Sequence, residues 1–342
     1  MNTLTPWETA LLEFVDIPSP TGSEQRAATF LQDLLRRLFP DGEISTYEVA
    51  PNRHNVYCHL PKNDGSLPII FTSHFDTVPG NVPVTYDDDY VIGRGTCDAK
   101  GQIIAQIWSA KKIIEQGQRG IALCFVVGEE TDSIGARTLI THIPKSQYLL
   151  NGEPTANRFV SKSWGVLDAV VRYDGRSQHS SLGTEHSAIH KLCRELAALC
   201  SPHTAELTKA LEQISVNIGL IAGGLSANTT APDATAQLSV RYAITTEECI
   251  SVLKEFIKVG AFSALPPLEP LPLYVPATHK DRSIEVKFAS DCSVFNGHIP
   301  YVMLRGPGSI VDAHTDHERL SRKELSEAID EVAAVVGEIL TQ

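Results

Sequence analysis

Histidine and acidic residues follow several apolar stretches of the chain, where buried strands would end. They are His74 and Asp76, Asp98, the pair Glu129 and Glu130, Glu153 and, near the end of the sequence, His314. Two imidazoles with several carboxylates form the ligand mixture that a borderline divalent ion such as Zn²⁺ prefers. Two ions that share one carboxylate need about five such ligands, and a remaining carboxylate could act as a general base. Taken together, these residue types favour metal-assisted chemistry.

The elements that would position these residues alternate between strand and helix. Apolar runs predict buried strands at Leu67–Thr72 and Ile121–Val127, and helical spacing predicts a helix over Lys100–Gln116. A capping box at Thr5–Glu8 predicts a first helix, and Ser23 predicts the cap of a second. Such alternation is typical of an α/β fold with a mostly parallel sheet flanked by helices, in which functional groups collect at one sheet edge.

The middle of the chain has a different pattern. Val166–Tyr173 and Thr235–Tyr242 are predicted to be amphipathic strands, with helical patterns between and after them. Strands with one apolar face and helices to cover it predict a smaller α+β domain. We therefore expect a catalytic, metal-binding domain formed by residues 1–163 and 275–342, interrupted by a second domain over residues 164–274.

Composition excludes several classes of function. The 342 residues carry a formal net charge of −12, which disfavours binding to nucleic acid or to an anionic membrane surface. No apolar run approaches the roughly 18 residues of a membrane-spanning helix, and the first residues lack a secretory pattern. Seven cysteines without a C-x-x-C pair are expected to be reduced thiols. These features predict a cytoplasmic protein whose substrate is a small molecule.

Five motifs carry a resemblance to a known family. In chain order they are Ser73-His-Phe-Asp-Thr-Val-Pro79, Gly93-Arg-Gly-Thr-Cys-Asp-Ala-Lys-Gly101, Gly128-Glu-Glu130, Asn151-Gly-Glu-Pro-Thr155 and Gly306-Pro-Gly-Ser-Ile-Val-Asp-Ala-His314. Together they resemble the M20 family of metallopeptidases and amidohydrolases, which includes acetylornithine deacetylase, succinyl-diaminopimelate desuccinylase and glutamate carboxypeptidase. The motifs span nearly the whole chain. The resemblance implies a catalytic domain with two divalent ions, zinc or cobalt, and a lid domain that mediates dimerisation.

The resemblance also implies a role for each residue of the clusters. Asp98 would bridge the two ions, His74 and Glu153 would bind one of them, and Glu130 and His314 would bind the other. Asp76 would orient His74, and Glu129 would act as the general base.

Three residues of the lid resemble family positions that act on the substrate. His179 would polarise the scissile carbonyl from the partner subunit of a homodimer, and Asn228 and Arg241 would hold the substrate, with Arg241 on its carboxylate. The strand Val166–Tyr173 is the edge that we expect to pair with its copy across a two-fold axis.

The expected reaction is hydrolysis of the amide bond of an N-acyl amino acid. Among subfamilies, the segment that ends at His314 favours N-acetylornithine, whose deacetylation belongs to arginine biosynthesis. The alternatives are a desuccinylase acting on succinyl-diaminopimelate and a carboxypeptidase or dipeptidase. A catalytically silent binding homologue is the non-enzyme alternative, and it would be expected to have lost Glu129 or a metal ligand.

Overall fold

The computed structural model describes residues 3–200 and 211–341, and these residues form two compact units. Of the described residues, unit 1 comprises 3–161, 272–285 and 290–341, and unit 2 comprises 162–200, 211–271 and 286–289. The expected α/β class, with a separate and smaller sheet in the middle of the chain, is confirmed.

A six-stranded mixed sheet forms the centre of unit 1. Its order is β1-β2-β6-β3-β7-β15, and β6, β3, β7 and β15 run parallel. The strands are β1 (Glu43–Ala50), β2 (Arg53–Leu60), β3 (Ile69–His74), β6 (Ile121–Val126), β7 (Tyr148–Asn151) and β15 (Tyr301–Leu304). Every residue of β3 and β6 is buried, as expected for strands that are covered on both faces.

Helices cover this sheet. They are α1 (Pro6–Val15), α2 (Gln25–Leu38), α3 (Lys100–Glu115), α4 (Ile134–Leu139), a short α7 (Cys292–Phe295) and α8 (Arg322–Leu340). The predicted capping box of α1 is confirmed, since Thr5 and Glu8 bond each other's backbone N–H groups. The cap predicted at Ser23 is wrong. Glu24 occupies the N-cap position of α2 without a capping side-chain hydrogen bond, because its carboxylate accepts hydrogen bonds from Arg53 and from the Gly22 N–H.

Two three-stranded sheets accompany the six-stranded sheet. A three-stranded sheet of order β16-β5-β4 contains β4 (Thr85–Tyr86), β5 (Tyr90–Ile92) and β16 (Arg319–Ser321). Another, of order β13-β8-β14, contains β8 (Val160–Ser163), β13 (Leu271–Pro272) and β14 (Ile284–Val286). Short 3₁₀ helices lie at Ser180–Leu182 and Ala277–Arg282.

Unit 2 is built on a four-stranded antiparallel sheet of order β10-β11-β9-β12. Its elements are β9 (Gly165–Asp174), α5 (Ala188–Leu199), β10 (Ile214–Gly223), β11 (Asp233–Tyr242), α6 (Thr246–Phe256) and β12 (Ala261–Ala264). Alternate residues of β9 and β11 form one apolar core with the buried residues of α5 and α6. The sheet therefore keeps one face packed and leaves the other more open.

The prediction that Val166–Tyr173 offers a free edge is wrong. This strand, β9, pairs with β11 on one side and with β12 on the other. The strand at the end of the sheet next to β11 is β10, which was not predicted.

None of the helices in the described part of the chain has the length and apolar character needed to cross a membrane.

Candidate metal centre

Three neighbouring parallel strands deliver most of the predicted residues to one sheet edge. His74 is the last residue of β3, Glu129 and Glu130 follow β6, and Glu153 follows β7. Because β6, β3 and β7 are adjacent and parallel, their carboxyl ends meet. Asp98 reaches the same place from the turn before α3, and His314 from the loop between β15 and β16.

Asp98 lies between the two imidazoles. Its Oδ1 atom is 3.0 Å from His74 Nε2, and its Oδ2 atom is 3.2 Å from His314 Nε2. His314 Nε2 is also 3.1 Å from Glu130 Oε2. The two oxygens of one buried carboxylate thus face two different histidines, which is the arrangement that a bridging carboxylate requires.

Asp76 contacts both His74 and the turn after β6. The backbone oxygen of Asp76 is 2.9 Å from His74 Nδ1, and its Oδ1 is 3.5 Å from the same atom, so His74 Nε2 remains for a ligand role. The Asp76 carboxylate accepts the backbone N–H groups of Glu129 and Glu130, at 3.2 and 3.4 Å. Thr21 donates its hydroxyl to the same carboxylate at 2.7 Å, a contact that sequence reasoning missed.

The donor set fits a divalent cation. Ligand atoms of His74, Asp98 and Glu130 all lie within 4.8 Å of one another. Glu153 Oε1 is buried, lies 4.0 Å from His74 Nε2, and has no hydrogen-bond partner among the described residues. A buried carboxylate oxygen without a donor is costly unless a cation compensates it, so the chemistry of the cluster matches a metal site.

Burial and ion pairing set the protonation of the cluster. Burial raises the pKa of Glu129 and of Glu153 well above the ordinary carboxyl value. Hydrogen bonds to Asp98 and then Glu130 raise the pKa of His314 to about 10. For Asp98 burial acts in the opposite direction, but hydrogen bonds from His314 and His74 keep its pKa below the ordinary value. Burial therefore favours the protonated form of Glu129 and of Glu153, and a cation that binds such carboxylates competes with protons for them.

Two further acidic residues contribute to the site and were not among the predicted site residues. Asp291, just before α7, is buried, and burial raises its pKa to about 6. Glu318 is buried beside the turn that carries Asp98. Neither residue lies in an apolar periodic pattern, and only the tertiary structure brings them to the cluster.

The predicted lid residues lie in unit 2. His179 forms an isolated antiparallel bridge with Thr229, and the Asn228 backbone oxygen accepts the Ser180 N–H at 3.0 Å, so the structure brings the His179 and Asn228 segments together. His179 and Asn228 are exposed. Arg241 lies on β11, opposite Val166 of β9, on the sheet face away from the unit 2 core.

Residues 70–254 match the model of peptidase family M20/M25/M40. The chain belongs to this family. The M20 chain is 30% identical to a peptidase M20 domain-containing protein of Schizosaccharomyces pombe, over 92% of this chain and 80% of that protein. It is also 30% identical to a probable carboxypeptidase of Aspergillus clavatus, over 96% of this chain and 88% of that protein. In fold, the M20 chain resembles a tripeptidase from Staphylococcus aureus, with a TM-score of 0.80, 22% identity and 98% of both chains covered.

Proposed function

We propose that this M20 metallo-hydrolase acts as a carboxypeptidase-type amidohydrolase. It cleaves an amide bond whose amine side carries a free carboxylate, as at the C-terminus of a peptide or in an N-acyl amino acid. The observation that carries the proposal is Asp98, whose two oxygens face two different imidazoles. The carboxypeptidase name of the Aspergillus relative favours a peptide substrate over N-acetylornithine, the substrate expected from the sequence.

Two divalent ions, zinc or cobalt, are proposed to bind at the cluster. His74 and Glu153 would hold one ion, Glu130 and His314 the other, and Asp98 would be shared. When bound, such ions supply an acidified water and an electrophile for the scissile carbonyl. Chelation should therefore abolish activity and lower the melting temperature, since a ligand that binds only the folded state stabilises it.

Glu129 is the proposed general base. Its Oε2 atom is 3.9 Å from His74 Nε2, which is beyond hydrogen-bond distance, so no hydrogen bond joins this oxygen to the imidazole. It would take a proton from the attacking water and pass it to the leaving amine. Glu129→Gln should bind zinc as wild type does and lose about 10²-fold or more in kcat. Exposed Glu13→Gln, on α1, is the matched control. Loss of zinc from Glu129→Gln would make Glu129 a ligand instead.

His179 is the proposed donor to the carbonyl oxygen of the substrate. Its Nδ1 atom accepts the Ser181 backbone N–H at 3.3 Å, so the proton of a neutral imidazole is on Nε2, which can donate. In the proposed homodimer, formed through unit 2, this donor serves the partner's site. One of the two edge strands of this sheet, β10, carries exposed Leu220 and Ile221 and is the edge that we expect to pair.

Mixing inactive variants tests whether His179 acts across the dimer. A hybrid of His179→Ala and Glu129→Gln subunits contains one site with both native residues and should recover part of the activity. If subunit exchange is verified and activity stays at the parental level, His179 acts within its own subunit or outside the reaction.

Arg241 is the proposed carboxylate clamp, assisted by Asn228. A guanidinium makes two parallel hydrogen bonds to a carboxylate, which a lysine ammonium does not reproduce. Arg241→Lys should lower kcat/KM for a carboxylate substrate, and the loss should correspond to about 2 kcal/mol or more of transition-state stabilisation. The metal content should be unchanged. The comparison is a peptide with a free C-terminus against its C-terminal amide. Equal losses of kcat/KM on the two peptides would show that Arg241 supports the fold of unit 2 and does not bind the carboxylate.

A substrate panel decides among the hydrolase classes. Zinc- or cobalt-loaded protein is given di- and tripeptides, N-acetylornithine and succinyl-diaminopimelate, and release of free amine is measured. We expect peptides with a free C-terminus to react fastest. Faster release from N-acetylornithine or the succinyl compound would replace the carboxypeptidase assignment. Metal binding without release from any of them would identify a silent binding homologue.

A further inference from the structure

The Glu318 carboxylate fastens the turn that carries Asp98. Its side chain is 1% exposed. Its Oε1 atom accepts three backbone N–H groups, those of Gly95, Cys97 and Asp98, each at 3.0 Å. Because all three donors come from one short turn, a single oxygen atom fixes the course of the backbone up to Asp98.

The other atoms of Glu318 reinforce this attachment. Its backbone oxygen accepts the Gly93 N–H at 3.0 Å, and its Oε2 atom accepts Arg94 Nη1 at 2.7 Å. Arg94 Nη2 donates to the Thr315 backbone oxygen at 3.1 Å. The buried charge of Glu318 is thus compensated by a guanidinium and by aligned N–H groups, which makes its hydrogen bonds charge-assisted and strong.

Glu318 also belongs to the segment that carries His314. Residues 93–99 and 311–318 are both turns outside helices and strands, so no ladder of backbone hydrogen bonds fixes their positions. His314 itself has a φ of +60°, a conformation that non-glycine residues adopt only when their surroundings hold them. The contacts of Glu318 therefore join the turn that presents Asp98 to the segment that presents His314.

We propose that Glu318 is a positioning residue that sets the separation of Asp98 and His314, and thereby the affinity for the metal ion that these two residues share. The inference rests on the proposed metal-dependent function and deepens it. Glu318 acts through the backbone of the Asp98 turn, and it binds neither metal nor substrate.

Metal titration of the full-length protein tests this role. Metal-free wild type, Glu318→Ala and Glu318→Gln are titrated with cobalt, which reports affinity by calorimetry and ligand geometry by its visible absorption. Loss of a group that supports a metal ligand typically costs about 10- to 100-fold in metal affinity. We expect a loss in this range for the ion bound by His314 in Glu318→Ala, with a changed spectrum. Glu318→Gln keeps one acceptor oxygen for the three N–H groups but replaces the oxygen that accepts Arg94, so it should lose less affinity than Glu318→Ala.

Glu8→Gln is the matched control. Glu8 is another buried carboxylate of unit 1, and it accepts Arg322 Nε at 2.7 Å but contacts none of the proposed ligands. The Glu8→Gln variant should have the same cobalt affinity and the same visible spectrum as wild type.

The outcomes separate this inference from the proposed function. Wild-type affinity and spectrum in Glu318→Ala would overturn the positioning role. If Glu318→Ala does not fold, the glutamine variant decides. If Glu318→Gln loses as much cobalt affinity as Asp98→Ala does, the hydrogen bonds accepted by the remaining oxygen do not position Asp98. This result would also overturn the positioning role. A wild-type protein that binds no metal would overturn the proposed function itself.

Discussion

Gly101 lies at the start of α3, directly after the turn that carries Asp98. A Cβ atom at this position would overlap the Thr96 backbone oxygen and would lie 2.5 Å from Leu320 Cδ2. Thr96 cannot easily withdraw, because its N–H and its hydroxyl both donate to the Gly93 backbone oxygen, at 3.1 and 2.8 Å. Gly101→Ala therefore has two opposing effects on stability: alanine favours the helix, and its Cβ atom overlaps neighbouring atoms.

Magnitudes decide between the two effects. Alanine in a helix is favoured over glycine by about 0.5–1 kcal/mol, whereas overpacking costs about 1–3 kcal/mol. Overlap with a backbone atom belongs at the upper end of that range, so we expect a net loss of at least about 1 kcal/mol in the free energy of unfolding. For a unit of this size, each kcal/mol corresponds to roughly 2–4 °C in melting temperature.

Gly337 in α8 is the control, since it is also a helical glycine. A Cβ atom there would meet only the Gln118 Oε1 atom, at 3.1 Å, at the end of a flexible side chain. Gly337→Ala should therefore match or exceed wild-type stability. Urea unfolding of chelator-treated protein, followed by circular dichroism, compares the two variants. If Gly101→Ala proves as stable as Gly337→Ala, the steric argument at the Asp98 turn is refuted.

Other properties of the described residues are equally testable. Burial raises the pKa of Glu8, but its hydrogen bonds with Arg322 and with Thr5 together bring this pKa below the ordinary value. These contacts therefore stabilise the fold above pH 4.5, and the stabilisation is lost as the pH falls further. Glu8→Gln should lower the free energy of unfolding by about 1.5–3 kcal/mol at pH 7 and by less at pH 4, as measured by urea unfolding. An equal loss at both pH values would contradict this prediction. Cys193 and Cys200 are exposed and the other five cysteines are buried, so Ellman's reagent should find two fast thiols in the native protein and seven in urea. Fast reaction of a third thiol would place a buried cysteine at the surface. Leu31 is fully buried in α2, so Leu31→Ala should lower the free energy of unfolding by about 2–5 kcal/mol. A loss below about 1 kcal/mol would disprove tight packing around this side chain.

Local signals predicted the elements that have strong patterns. The capping box of α1 and the buried strand β6 could be identified because each depends on neighbouring residues alone. Strand β1 was not predicted, since it is largely exposed and has no apolar alternation. The same holds for β10, most of whose residues are exposed. Edge strands bury little surface, so their sequences carry little periodic information.

The candidate site divides in a similar way. His74, Asp98 and Glu130 could be named from motifs, and the structure brings their ligand atoms together. The supporting contacts could not be predicted, because Thr21 and Glu318 are 55 and 220 residues from the aspartates that they contact. Such contacts depend on the fold as a whole and leave no local pattern in the sequence.

The division of unit 1 into separate chain segments affects how the protein is made. Strand β15 pairs with β7 across about 150 intervening residues, and the Ser109 hydroxyl of α3 donates to the Ile329 backbone oxygen of α8 at 3.1 Å. During synthesis, β7 therefore has an unpaired edge and α3 an uncovered face until residues 301–340 have left the ribosome. His314 and Glu318 are among these residues. We expect ribosome-bound chains that stop before Tyr301 to be cut rapidly by protease and to bind no metal tightly. Protease resistance of unit 1 in such chains would show that it folds without β15 and the segments that follow it.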